Sequence, residues 1–313
     1  MKTLHTILIA LTATFFLSAC TMARAADDEV RAWRVAQADT ELSDQEQLKL
    51  AAIEGLMSAS SERALPILKK VLAGNSSARV KSRALFVLGQ DNSAEAQSLL
   101  ISFAASAGPL QHEAIRMIGI GGVASSLERL APIYRSGNEE LRKSVLQAYL
   151  IANEAEAVYQ LAVNAQNDAA FDAAVNTLGA MNATEQLRKL QASGSERESL
   201  IQAYAIARDL DSLQQMATSA ADPKQRLTAI RNIGIVGGKA AGDALLDVYR
   251  KSDDKETREA VLQGMLIGQF DQHVLTLFRA SDAPEEKRRL LRTLVNMNSD
   301  LALEVIDSTL EGN

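Results

Sequence analysis

The sequence repeats itself, and that limits the folds open to it. Residues 114–120 read Ala-Ile-Arg-Met-Ile-Gly-Ile, and residues 229–235 read Ala-Ile-Arg-Asn-Ile-Gly-Ile, 115 positions later. Tyr134-Arg135 and Tyr249-Arg250 keep that offset. Val145-Leu146-Gln147 recurs as Val261-Leu262-Gln263 and, more loosely, as Leu200-Ile201-Gln202. Weaker copies lie between these, so the underlying period is about 30 residues, the range of helical arrays.

Each copy reads as two helices. In the first, Val80, Ala84, Leu85 and Leu88 fall on one helical face. The second follows the pattern of residues 64–72, Ala-Leu-Pro-Ile-Leu-Lys-Lys-Val-Leu, which carries a similar stripe. Units start near Asp44, Asn75, Pro109, Asn138, Asn167, Ser195, Asp222, Asp254 and Asp282, mostly good N-caps. Ser43 with Glu46, Ser195 with Glu198, and Asp282 with Glu285 have capping-box spacing. Asp222-Pro223 adds a proline at the first helical position. Gly74, Gly108, Gly137 and Gly194 end units, where a left-handed residue is expected to close a helix. A hairpin with one apolar side cannot fold alone; stacking on its neighbours buries a continuous core. The expectation is an all-α chain: an α-solenoid of about nine short hairpins over residues 44–313, forming a curved superhelix roughly 80 Å long.

This pattern resembles HEAT repeats, in particular the short HEAT-like repeats named after phycobilisome lyases. The resemblance implies a shape used mostly as a binding scaffold, and it implies no chemistry. Composition agrees with a helical array: 47% of residues are hydrophobic, only 4% aromatic, and there are just 5 prolines. Few β-branched and aromatic runs argue against a large sheet.

The first residues read as an address. Lys2 precedes a short apolar run from Ile7 to Leu17, too short for a bilayer span and suited to a signal peptide. Leu17-Ser18-Ala19-Cys20 resembles the lipobox of bacterial lipoproteins, whose cysteine becomes the lipidated first residue. Ala23-Arg24-Ala25 offers an ordinary signal-peptidase site instead. The expected organisation is a signal peptide over 1–19, a tether or loose first helix over 20–43, and the solenoid. Cys20 is the lipidation candidate. The location expected is the periplasmic side of a cell envelope, lipid-anchored to the outer membrane or else soluble in the periplasm. Cleavage at Cys20 removes one of 33 basic residues and none of 39 acidic ones. An acidic exported chain is a poor nucleic-acid binder.

No catalytic constellation emerges. His112 and His273 lie far apart in the array, lack metal-ligand spacing, and read as solvated helix histidines. Residues 119–122 and 234–238 are glycine-rich but follow no strand and lack the Lys-Ser/Thr of a P-loop, so they read as helix ends. Paired acids such as Glu139-Glu140 and Asp253-Asp254 sit where helix starts favour negative charge. The expectation is no enzyme, no metal and no cofactor.

One register is more informative. Aligning the first helices places Phe86, Arg116, Gln147, Asn176, Gln202, Arg231, Gln263 and Arg292 in one column, pointing away from the buried arc. A column of Arg, Gln and Asn suits a hydrogen-bonding ladder for a protein or peptide partner, with arginines able to grip carboxylates. The functional expectation is a non-catalytic interaction scaffold at the envelope. A role in envelope assembly or stress, or as an enzyme's regulatory subunit, stays open. Residues 167–222 are rich in Ala, Gln, Asn and Ser and poorer in large apolar side chains. Because a solenoid's stability is a sum of local terms, amide hydrogen exchange should be fastest there; slowest exchange in that stretch would overturn the expectation.

Overall fold

A computed structural model describes residues 43–193 and 197–310. The signal peptide, Cys20 and nearly all of the tether lie outside the described residues, as do Gly194 and Ser195. The described chain is all-α, in helices α1 (Asp44–Gly55), α2 (Ser61–Ala73), α3 (Ala78–Gln90), α4 (Ala94–Ala105), α5 (Gln111–Gly121), α6 (Ala124–Leu127), α7 (Leu130–Ser136), α8 (Glu139–Ala152), α9 (Ala155–Val163) and α10 (Asp168–Ala180). These continue as α11 (Thr184–Ala192), α12 (Glu198–Ile206), α13 (Leu210–Ser219), α14 (Pro223–Val236), α15 (Gly238–Lys251), α16 (Lys255–Gly268), α17 (Asp271–Ala280), α18 (Pro284–Asn296) and α19 (Asp300–Leu310). The expected hairpins are there. First helices are α1, α3, α5, α8, α10, α12, α14, α16 and α18. The helices following them are the partners, and the third partner is broken into α6 and α7.

The chain forms two compact units that divide between Val87 and Leu88, inside α3. In the first, Ile53, Leu65, Leu68, Leu72 and Leu85 are buried together with Ala64 and Ala84. Arg83 pairs with Glu54 at 2.7 Å, and the Ser77 hydroxyl donates to the Glu46 carboxylate. The Ser43 hydroxyl accepts from the Glu46 amide at 3.2 Å and so caps α1 as expected.

In the second unit each first helix packs on the next first helix, α5 on α8, α10 on α12, α14 on α16, while partner helices pack on partner helices, α9 on α11 and α15 on α17. Three registers of the first helix recur in this core. Ala114, Ile115 and Ile118 of α5 match Val145, Leu146 and Tyr149 of α8, then Ala229, Ile230 and Ile233 of α14, all buried. This is the sequence stripe carried from hairpin to hairpin.

First helices approach to backbone contact where glycine removes the side chain. A Cβ on Gly119 would lie 2.7 Å from both Cα and O of Ala148. Gly179 faces Ala203 at 3.0 Å in the same register, and a Cβ on Gly234 would collide with the carbonyl of Gly264. No flexible side chain can yield at these points.

Hairpin turns differ from expectation. Gly74 and Gly137 leave their helices extended, at φ −82° and −78°. The left-handed residues lie inside the third to ninth hairpins instead, at Gly122, Asn153, Asn182, Arg208, Gln269 and Asn298, with Gly237 and Gly238 also at positive φ. The next amide reaches back five residues at most of these turns. Glu154 donates to the Tyr149 carbonyl at 2.9 Å, Ala183 to Leu178 at 3.0 Å, Asp209 to Tyr204 at 2.9 Å and Phe270 to Met265 at 2.9 Å. That is a Schellman closure, which satisfies helix-end carbonyls in a tight reversal. The reading of residues 119–122 and 234–238 as helix ends holds.

Caps hold at Asn138, Asn167, Asp222 and Asp254, whose side chains accept from the first-turn amides. Asp282 is a correction. Pro284 begins α18, so the cap position passes to Ala283, which has no side chain to offer.

Gly119→Ala should destabilise the protein by about 1–3 kcal/mol, because overpacking against fixed backbone exceeds the helix-propensity gain of about 1 kcal/mol. Gly55→Ala, with open space around its Cβ, should be neutral or stabilising. Urea unfolding followed by circular dichroism reads both.

Candidate functional site

The expected column is placed by the first helices, but it is less exposed than the periodicity implies. Gln147 and Arg292 are exposed, whereas Phe86, Arg116, Asn176, Gln202, Arg231 and Gln263 are half-buried. In the second unit the close approach of successive first helices draws these side chains into the seams between them. Two of the arginines are also engaged. Arg116 donates to both carboxylate oxygens of Glu113, at 2.9 and 2.6 Å. Nε of Arg231 donates to Oε1 of Gln263, 2.6 Å away and one rung along the column. Arg292 makes no hydrogen bond or ion pair among the described residues, and it lines a shallow hollow with Arg288 and Ile306.

A second register, four residues on, was missed. It holds Ile120, Ile151, Ile206, Ile235 and Ile267, each between 37% and 50% exposed. Four residues turn a helix through about 400°, so each isoleucine sits about 40° around from its column residue, one turn higher. The clue was available: the repeated heptapeptides both end in isoleucine, at a position the core stripe does not use. Isolated exposed apolar residues are ordinary, but five in one register are not scattered. Ile206, Ile235 and Ile267 stand on three successive first helices, and Ile120 and Ile151 on two others. Leu150 and Val295, one residue before this register, are 38% and 50% exposed and widen the stripe. Ala180 interrupts it in the fifth hairpin.

Below Ile206 the turn is anchored by a carboxylate. Asp209 is 7% exposed and caps α13. Arg188 of α11 donates to both its oxygens, at 3.0 and 2.8 Å, and the Ser212 hydroxyl adds a bond of 2.7 Å. Burial pushes the Asp209 carboxyl up, but the bonds from Arg188 and Ser212 outweigh it and hold the group below its ordinary range. Nearby, burial pushes the Tyr204 hydroxyl to about 12, and this hydroxyl donates to Gln191 at 2.8 Å. These ties cross between the fifth and sixth hairpins, inside the stretch whose composition looked weakest.

The histidines divide. His112 is exposed, with Nδ1 2.7 Å from the Ser144 hydroxyl. His273 corrects the solvated reading. Its ring lies against Gly242, meets Phe270 edge-on at 5.6 Å, and has Nε2 3.1 Å from Asp243. Glycine at 242 leaves room for an imidazole that the sequence pattern does not reveal. Among the described residues no cluster of His, Cys, Asp and Glu has metal-binding geometry, and no helix is long and apolar enough to cross a membrane.

No family model matches the chain, and no curated protein matches it. Among solved structures, the crystal structure of an engineered protein is similar at 19% identity, covering 74% of this chain and 95% of that one, with a TM-score of 0.23.

Asp209→Asn keeps a capping oxygen and removes the charge. At neutral pH it should cost about 1–2 kcal/mol, the lower part of the range for charged hydrogen bonds because Arg188 is half exposed. A depressed carboxyl pKa stabilises the fold above the unfolded value and loses that contribution as pH falls through the folded one. The gap between parent and variant should therefore close below about pH 4, as urea titrations from pH 7 to 3 would show.

Proposed function

We propose that this protein is a non-catalytic scaffold that holds a protein or peptide partner along the exposed face of its first helices. The row of isoleucines beside the polar column carries this reading. A solvated helix face has no use for an apolar side chain at one fixed register in five hairpins. A partner covering Ile206, Ile235 and Ile267 would gain from burying apolar surface, at about 25 cal/mol per Å². Alongside, the exposed Gln147 and Arg292 offer polar contacts that fix register. Helix spacing of about 8–10 Å turns the row into a ruler that suits an elongated partner.

The HEAT-like character of the repeats supports the same reading, since that shape serves mostly for binding. The basic start, apolar run and Cys20 support export to a bacterial cell envelope, with a lipid anchor on its membrane. Mass spectrometry of the mature N-terminus should find a chain that begins at a lipidated Cys20; a chain beginning at Ala26 would make the protein soluble in the periplasm.

Replacing Ile151, Ile206, Ile235 and Ile267 together by Ser should leave the fold intact, since exposed substitutions each change stability by about 0.5 kcal/mol or less. Crosslinking in the native envelope, which identifies the partner of the parent protein, should lose that partner with the variant. A partner retained at full yield would move the binding face elsewhere. Arg292→Ala should weaken capture without affecting the fold, because this arginine makes no hydrogen bond or ion pair among the described residues.

A further inference from the structure

The third and seventh hairpins carry matching Tyr-Arg pairs on their second helices, Tyr134-Arg135 on α7 and Tyr249-Arg250 on α15. In both places an arginine from the next first helix lies over the tyrosine ring. Arg142 is 5.8 Å from the Tyr134 centroid, and Arg258 is 5.1 Å from that of Tyr249. Five residues separate each arginine from its column residue, Gln147 or Gln263, so the two sites are internal copies of one arrangement.

The copies then diverge in charge. Arg258 sits between two acids, 3.2 Å from Asp253 and 3.6 Å from Glu286. Glu286 stands six residues before Arg292 of the column. Six residues before Asn176, in the matching first helix α10, stands Ala170. Gly137 likewise stands at the position of Asp253, and Arg142 has no ion pair among the described residues; its Nε donates to the Tyr134 carbonyl at 3.2 Å, and its terminal nitrogens make no hydrogen bond among those residues.

The truncation from glutamate to alanine coincides with a pocket of about 260 Å³ lined by Ala170, Tyr134, Tyr149, Arg135, Arg142 and Gln166 among others. Its floor is apolar. Both tyrosines are buried, and the Tyr149 hydroxyl is already bonded to the Leu127 carbonyl at 3.1 Å. Arg135 makes no hydrogen bond or ion pair among the described residues and adds a second guanidinium. Glu128 is the single acid in the lining, and it is exposed.

We infer that this pocket binds a carboxylate carried on a small apolar group, which takes the place that the Glu286 side chain fills in the other copy. Guanidinium and carboxylate match in geometry and charge, and an apolar floor beneath them selects for an apolar body. The volume lies just below the usual range for ligand pockets, so it admits one small group and no larger cofactor. The same chemistry is offered by a free small carboxylate and by the C-terminus of a polypeptide.

Isothermal titration of the full chain with N-acetyl-leucine, N-acetyl-leucine amide, and a hexapeptide ending in leucine as free acid or amide tests this. N-acetyl-leucine should bind saturably at one site, and its amide at least about tenfold more weakly. Arg142→Gln should cost a similar factor. Ala170→Glu, which restores the internal carboxylate, should abolish binding. If that variant does not fold, Arg142→Gln with an unchanged helical spectrum decides the matter alone. A free-acid hexapeptide binding at least tenfold tighter than N-acetyl-leucine identifies a polypeptide terminus as the source, and equal affinity identifies a free carboxylate. Amide and acid binding alike, full affinity in Arg142→Gln, or no saturable binding of any probe would overturn the inference.

Discussion

Close approach between successive first helices is the constraint from which the second unit follows. At Gly119 against Ala148, Gly179 against Ala203 and Gly234 against Gly264, the backbones meet with no side chain between them. The contact sets one register for the whole stack, because a slide by a helical turn would drive larger side chains into those points. It also fixes what happens to every other register. The stripe of Ile115, Leu146 and Ile230 is pressed inward, and the polar column is drawn into the seams.

Polar groups in those seams are consequently occupied with one another. Arg116 holds Glu113, and Arg231 reaches Gln263 in the next hairpin. The first of these bonds stays within one helix, and the second links neighbouring hairpins. The exposed strip of this face is narrower and more apolar than a polar ladder would be. It consists of the isoleucines one turn above the column, together with Gln147 and Arg292, which remain exposed.

Repetition also makes departures informative, since each hairpin serves as a reference for the others. Ala170 in the register of Glu286 and Gly137 in that of Asp253 are two departures, and together they change a neutralised arginine into one that faces a pocket. Asp209 with Arg188 is another. It places an ion pair with a buried carboxylate where the composition had suggested only small side chains, and it gives that stretch a tie of its own. Both matter through their neighbours in space, so neither stands out along the chain.

The sequence by itself determined the all-α repeat, the number of hairpins, their approximate starts, and the residues of the core stripe. These properties are local, or periodic along one chain, and helical geometry converts spacing directly into a face. Caps at Asn138, Asn167, Asp222 and Asp254 were legible for the same reason. Tertiary structure decided which junction takes the left-handed turn, how far Arg116 and Arg231 are covered, that His273 lies over Gly242, and that Ala170 opens a pocket. Each of these depends on distances between residues about 30 or more positions apart, or on the sharpness of a reversal between two packed helices. Such distances are set by how closely backbones can stack, and periodicity in one helix carries no information about that.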